Sequence, residues 1–164
     1  MTYAAALRGR YSCKGVPYVV TAVTAHRISL FRSFDFAAIV ARELHLLNRE
    51  NCCKISAWVI MPDHLHALVV LDEMPLSLLM KRLKGRTAWA INRRRDSRDR
   101  VWQQGFHDRA LRREESMVVA ARYIVANPVR AGLVRRLGEY SFWDQNLVEV
   151  PGKSSRDANS SPRL

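Results

Sequence analysis

Two apolar runs, CKISAWVIM (53–61) and HLHALVVL (64–71), are separated by only the two residues Pro62-Asp63. Both runs are rich in β-branched side chains, and Pro-Asp supplies turn chemistry, so the stretch reads as two strands. A two-residue connection leaves no room for a crossover, and the strands must pair antiparallel as a hairpin. That excludes an all-helical fold and a purely parallel sheet. It also fixes faces. Side chains alternate along a strand, so His64 and His66 project side by side, while Leu65, Ala67, Val69 and Leu71 point the other way into a core.

The rest of the chain supplies layers around this hairpin. VPYVVTAVT (16–24) is β-branched with partial alternation and predicts another strand. From Asp35 to about Asn51, Phe36, Ile39, Val40, Leu44 and Leu47 recur at helical spacing. Pro75 to about Arg94 is a long helical pattern with a break expected at Gly85. VWQQGFHDRAL (101–111) holds one short strand, or two around Gly105. Glu114 to about Ala126 is helical and ends near Asn127-Pro128, because the residue before proline resists the α conformation. A further short helix is expected through Leu133. Strands and helices interleaved around an antiparallel hairpin make an α+β sandwich, an antiparallel sheet with helices packed mainly on one face. Residues 1–149 read as a single domain, and the Pro-, Ser- and Gly-rich stretch 150–164 as a disordered tail.

At 164 residues, with 48% hydrophobic and 26% charged side chains, the balance is that of a globular domain. No window approaches eighteen consecutive apolar residues, so no membrane-spanning helix is expected. MTYAAALRGRYSCKG is too basic, and its apolar run too short, for a signal peptide. Cys13, Cys52 and Cys53 are an odd, sparse set that fits a reducing, cytoplasmic setting better than a disulfide framework. Nor does Cys52-Cys53 have the two further spaced ligands that a zinc site needs.

Charge is the outlier. The 27 Lys and Arg against 15 Asp and Glu give +12, and the segment from Pro75 to Arg113 carries most of it, twelve basic residues against Asp96, Asp99 and Asp108. A domain this basic meets a polyanion, and nucleic acid is the default partner. Lys81, Arg82, Lys84, Arg86, Arg93 and Arg109, interleaved with Trp89 and Trp102, suit a phosphate backbone and unstacked bases. The competing reading is a solvated helix face whose aromatics turn into the core. His107 is a candidate for positioning DNA or a phosphate, against a hydrogen-bonded surface histidine; His26 and His45 read as structural or surface residues.

Two imidazoles on one strand face can chelate a divalent cation if a third ligand comes from another element. Two half-buried polar histidines with no ligand role fit the same spacing. In the 114–126 helix, Ala121, Ile124 and Val125 form one narrow stripe, and Tyr123 and Asn127, at i and i+4, fall outside it. Tyr123 is therefore not a core residue by spacing, although a surface tyrosine would look the same.

Four blocks in order, AWVIMPDHLHALVVL, MKRLKGRTAWAINRR, VWQQGFHDRALR and ARYIVANPVRAGLV, resemble the REP-associated tyrosine transposases. These are a single-tyrosine branch of the HUH nucleases, and the resemblance runs from about Val16 to Trp143. It implies a ferredoxin-like sandwich with the histidine pair on a central strand and the tyrosine on a helix beside it. It implies cutting and rejoining of single-stranded DNA at repetitive palindromes through a 5′-phosphotyrosine. On that resemblance Tyr123 is the nucleophile, and His64, His66 and Asn127 hold Mg²⁺ or Mn²⁺, with Asn127 where related transposases carry glutamine. Asp63 stands where many relatives have Asn, with turn propensity intact. The implied partners are single-stranded DNA hairpins, with no membrane and no nucleotide cofactor, and a monomer is favoured over a dimer. The cleft at the histidines is expected to be lined by Lys81, Arg82, Lys84, Arg86 and Arg109. Two rivals stand beside this reading. One is a non-catalytic single-stranded nucleic-acid-binding regulator on the same fold, which needs neither the tyrosine nor the histidine pair. The other is a water-using metal phosphoesterase, which would leave no covalent protein–DNA link.

Overall fold

A computed structural model describes residues 12–50, 53–112 and 114–145. In chain order the elements are β1 (Pro17–Val23), α1 (Phe34–Arg49), β2 (Cys53–Met61), β3 (His64–Leu71), α2 (Leu76–Arg94), β4 (His107–Ala110), α3 (Met117–Val125), α4 (Asn127–Arg130) and β5 (Trp143–Gln145). The sheet order is β4-β1-β3-β2-β5, with every neighbouring pair antiparallel. The β2–β3 hairpin closes at the Met61↔His64 pair around Pro62-Asp63, at the residues its composition marks.

Alternation sorts the sheet into two faces. Tyr18, Val20 and Ala22 of β1, Trp58 and Ile60 of β2, and Leu65, Ala67, Val69 and Leu71 of β3 share a core with α1 and α2. On the opposite face Ala57, Val59, Met61 and Leu68 pack against Ala121, Ile124 and Val125 of α3. A register shift between Ile55 and Ala57 changes the phase of β2, so Ile55 and Trp58 both reach the first core. Leu44, Leu47, Leu65, Leu68 and Ile124 are 2% exposed or less, so each contributes roughly 1.5–3 kcal/mol of burial. The expected α+β sandwich is therefore present, with the two long helices on one face and the short α3 on the other.

Several boundaries differ from those the sequence predicts. α2 runs unbroken through Gly85, because burial of Leu79, Met80, Leu83 and Ile91 outweighs the cost of one glycine, about 1 kcal/mol. α3 begins at Met117, not Glu114: Ser116 caps it by accepting from Val119 N, while Glu115 turns back to accept from Arg109 and from Arg112 N. β5 had no counterpart in the pattern. It adds to the β2 edge, where Ile60 N also donates to Phe142 O at 2.9 Å. The tail at 150–164 and Cys52 lie outside the described residues, and no described helix is long and apolar enough to cross a membrane.

The segment 101–111 forms β4 plus an isolated bridge between Trp102 and Thr24. Trp102, expected on a base-stacking surface, instead belongs to the core. It is 4% exposed, its ring lies 5.2 Å from that of Phe31, and its indole N–H donates to Thr87 Oγ1 at 3.0 Å. Thr87→Val keeps the shape but strands that buried donor. It is expected to lower stability by about 1–3 kcal/mol, read as a lower urea midpoint with an unchanged slope.

Candidate active site

His64 and His66 are in phase with Leu68, so they stand on the sheet face that α3 covers. Their rings are edge to face with centroids 4.7 Å apart. Each has its Nδ1 engaged. His64 Nδ1 meets Asp63 Oδ1 at 2.6 Å, and His66 Nδ1 meets Oγ1 of Thr21, its register partner on β1, at 2.8 Å. An imidazole that donates Nδ1–H keeps its lone pair on Nε2, the tautomer a metal ligand needs.

Asp63 is itself held from three sides. Arg27 donates to its carboxylate at 3.0 Å, and Thr24 donates both its N–H and its hydroxyl to the Asp63 carbonyl at 2.9 Å. Arg27 and the adjacent His26 both adopt a φ of 54°, left-handed and uncommon for residues other than glycine. Burial by itself would raise the Asp63 carboxyl, but the His64 hydrogen bond and the charges of His64 and Arg27 outweigh it and hold the group below the usual carboxylate range. For His66, burial and then the His64 charge push the imidazole down to about 4, against the weaker pull of Asp63. His66 is therefore neutral at pH 7. Asp63 was named from the sequence only as a turn residue, and Thr21 not at all, yet both support the histidines. Asp63 was legible as the neighbour of His64, whereas Thr21 needs the strand register.

α3 packs against β2, β3 and β5 through Ala121, Ile124 and Val125, which leaves Tyr123 54% exposed, off the core as its spacing predicts. Asn127 follows one turn later, at the start of α4. Its Nδ2 donates to Ile124 O at 2.9 Å and to Tyr123 O at 3.3 Å. That occupies the amide nitrogen and leaves Oδ1 as the available donor for a cation. Arg130 lies over the Tyr123 ring, 4.3 Å from its centroid.

Among the described residues no group of three or more His, Cys, Asp and Glu side chains is placed to hold a metal ion. The Asn127 amide oxygen is an oxygen donor of a kind outside that set. Two imidazole nitrogens with one amide oxygen fit a divalent cation, and suit Mn²⁺ better than Mg²⁺, which prefers oxygen.

The structure divides the expected DNA-binding residues. His107 pairs with Thr21, which places it in one cross-strand row with Thr21 and His66, and Arg109 shares that face. Arg109 is engaged by Glu115 at 2.7 Å. Lys81, Arg82, Lys84, Arg86, Trp89 and Arg93 belong to α2, behind the opposite face of the sheet. The expected lining of a histidine cleft by the α2 residues is thus corrected, because the apolar stripe of α2 commits that helix to the other core. Arg82 pairs with Glu50, and Arg86 with Glu43 and Glu50. Lys84 donates to Gln103 O at 2.7 Å and to Gly105 O, pinning α2 to the segment before β4. Burial lowers its pKa, with the Arg100 charge adding to the effect. Trp89 is the open aromatic, 64% exposed with the Arg93 guanidinium 5.3 Å from its ring.

Residues 12–127 match the sequence profile of the family described as IS200-like transposases. Over 135 residues the chain is 24% identical to the REP-associated tyrosine transposase of Escherichia coli strain K12, covering 81% of this chain and 78% of that relative. A solved structure of a REP-associated tyrosine transposase bound to a REP hairpin has the same fold, with a TM-score of 0.65 at 19% identity over 93% of this chain and 97% of the other. Three of the four sequence blocks lie wholly inside the family match, and the fourth enters it as far as Asn127. With the histidine hairpin, Tyr123 and Asn127 all inside one profile, this chain belongs to the IS200-like transposase family, enzymes that process DNA.

Proposed function

We propose that this protein is a tyrosine strand transferase that cuts and rejoins single-stranded DNA at palindromic, REP-like hairpins, acting as a cytoplasmic monomer. One observation carries the reading: an exposed tyrosine rides on the helix that covers the same sheet face as two imidazoles, each hydrogen-bonded through Nδ1. The hairpin comes from the similar transposase solved with a REP hairpin.

A phenol is a weak nucleophile at neutral pH until it is positioned and relieved of its proton. Tyr123 would attack the scissile phosphorus, giving a 5′-phosphotyrosine and releasing a 3′-hydroxyl. His64, His66 and Asn127 would hold Mg²⁺ or Mn²⁺, whose chemistry is to bind a phosphate oxygen and withdraw charge from phosphorus. Asp63 and Thr21 keep the two imidazoles turned toward that task. Because the covalent link retains a phosphodiester bond, attack by another 3′-hydroxyl rejoins DNA without a nucleotide cofactor. His107 and Arg109 would meet the strand on the cutting face. Lys81, Trp89 and Arg93 would hold DNA from the helical side, Trp89 by stacking.

Tyr123→Phe is expected to abolish the covalent adduct on a labelled single-stranded hairpin while leaving hairpin affinity unchanged. A denaturing gel shows the adduct and fluorescence anisotropy the affinity, and an adduct that persists in the variant would remove Tyr123 as nucleophile. Binding without any adduct in the unmodified protein would leave a binding regulator on this fold. EDTA, His64→Ala, His66→Ala and Asn127→Ala should each suppress cleavage. Asp63→Ala should raise the Mn²⁺ concentration for half-maximal cleavage about 10- to 100-fold. Asp63→Asn should lose less, because its amide oxygen can still accept from His64 Nδ1. Hairpin binding should weaken with salt, with a log–log slope of roughly −4 for about six phosphate contacts. Trp89→Ala should cost about 1–3 kcal/mol of that binding; equal affinity for a perfect duplex would contradict the single-strand preference.

A further inference from the structure

Tyr123, Asn127 and Arg130 stand at i, i+4 and i+7, one stripe of a helical run that Pro128 would be expected to end. α3 stops at Val125 and α4 starts at Asn127, but Ala126 between them keeps helical dihedral angles, and Pro128 falls in the first turn of α4, where its missing N–H is tolerated. Arg130 N donates to Ala126 O at 3.0 Å and Ala131 N to Asn127 O at 2.8 Å. The run therefore carries Arg130 back over the tyrosine, with its guanidinium carbon 4.3 Å from the ring centroid, well inside cation–π range.

The described arginines fall into two sets, those paired with a carboxylate and those that are not, with Arg93 over Trp89 and Arg130 over Tyr123 in the second set. Arg27, Arg82, Arg86, Arg94 and Arg109 each pair with a carboxylate. Among the described residues Arg130 pairs with none, and its recorded contact is the Tyr123 ring. A guanidinium centred over a ring still carries N–H groups that an anion beside the ring can reach.

We propose that Arg130 is a positioning residue for Tyr123 that holds the ring in its attacking orientation and sets an uncompensated positive charge beside the phosphate. The inference rests on the reading of Tyr123 as nucleophile. In that step the Tyr123 O–P bond forms as the P–O3′ bond breaks. The phenolic proton passes to water, and the departing 3′ oxygen takes one up. Negative charge on the transferring phosphoryl oxygens is what a preorganised guanidinium stabilises.

The test uses the full chain with a labelled single-stranded hairpin and Mn²⁺. Arg130→Ala is expected to slow adduct formation at saturating DNA by about 10- to 100-fold. Its hairpin Kd should stay within about threefold, since a single phosphate contact is at stake. Millimolar methylguanidinium should restore part of the rate to Arg130→Ala and none to Tyr123→Phe. Arg130→Lys, with the charge but not the flat fork, should fall between the two, and it carries the comparison if Arg130→Ala melts early. An Arg130→Ala rate within twofold of the unmodified protein, or a loss that follows Kd and resists rescue, overturns the inference. An adduct absent from the unmodified protein, or mapped to another residue, overturns the reading of Tyr123 itself and is seen before any Arg130 variant is made.

Discussion

Alternation along β3 ties the chemistry to the core. The same eight residues bury Leu65, Ala67, Val69 and Leu71 against α1 and α2 and hold His64 and His66 on the opposite face. A slip of one residue in register would exchange the two sets. It would take Leu65, Val69 and Leu71, side chains worth roughly 1.5–3 kcal/mol each, out of the core under α1 and α2 and put imidazoles in their place. The position of the histidine pair is therefore enforced by apolar burial on the far side of the sheet, without any contribution from a ligand.

Burial fixes where the imidazoles stand, and hydrogen bonding fixes how they are turned. Thr21 reaches His66 because the two are register partners, and Asp63 reaches His64 because the two-residue turn leaves them adjacent. The turn is in turn clamped by Thr24 and Arg27, from a segment holding two left-handed residues. Strain of that kind persists only where the surroundings over-determine it. Here they do so beside the pair of rings whose orientation matters.

How much could be read from the chain depended on whether a signal was local. Strand ends at 53–61 and 64–71 were legible because a turn and two β-branched runs sit side by side. The exposure of Tyr123 was legible from the spacing of Ala121, Ile124 and Val125. Trp89 falls off the buried stripe of Leu79, Met80, Leu83, Thr87 and Ile91. Trp102 was not, because it lies in irregular chain with no period to place it, and a tertiary hydrogen bond to Thr87 decides its fate. The side of the sheet taken by α2 was equally hidden. Its basic residues looked like the lining of the histidine cleft, yet which face a helix covers is a property of packing, not of charge. β5 is three residues paired to the β2 edge, too short for alternation to show.

α3 has nine residues, and a helix that short is marginal in water without tertiary support. Its support is the Ser116 cap and the cluster in which Ala121, Ile124 and Val125 meet Ala57, Val59, Met61 and Leu68. Leu68 is two residues beyond His66 on the same face, and Val59 is the register partner of His66. The contacts that make α3 a helix are thus made to the neighbours of the histidines. The surface on which α3 packs exists only with β2 and β3 paired in the register that presents His64 and His66 on the same face. One packed cluster thus supports both the strand face that carries the histidines and the helix that carries Tyr123, and it leaves Tyr123 and Arg130 facing outward.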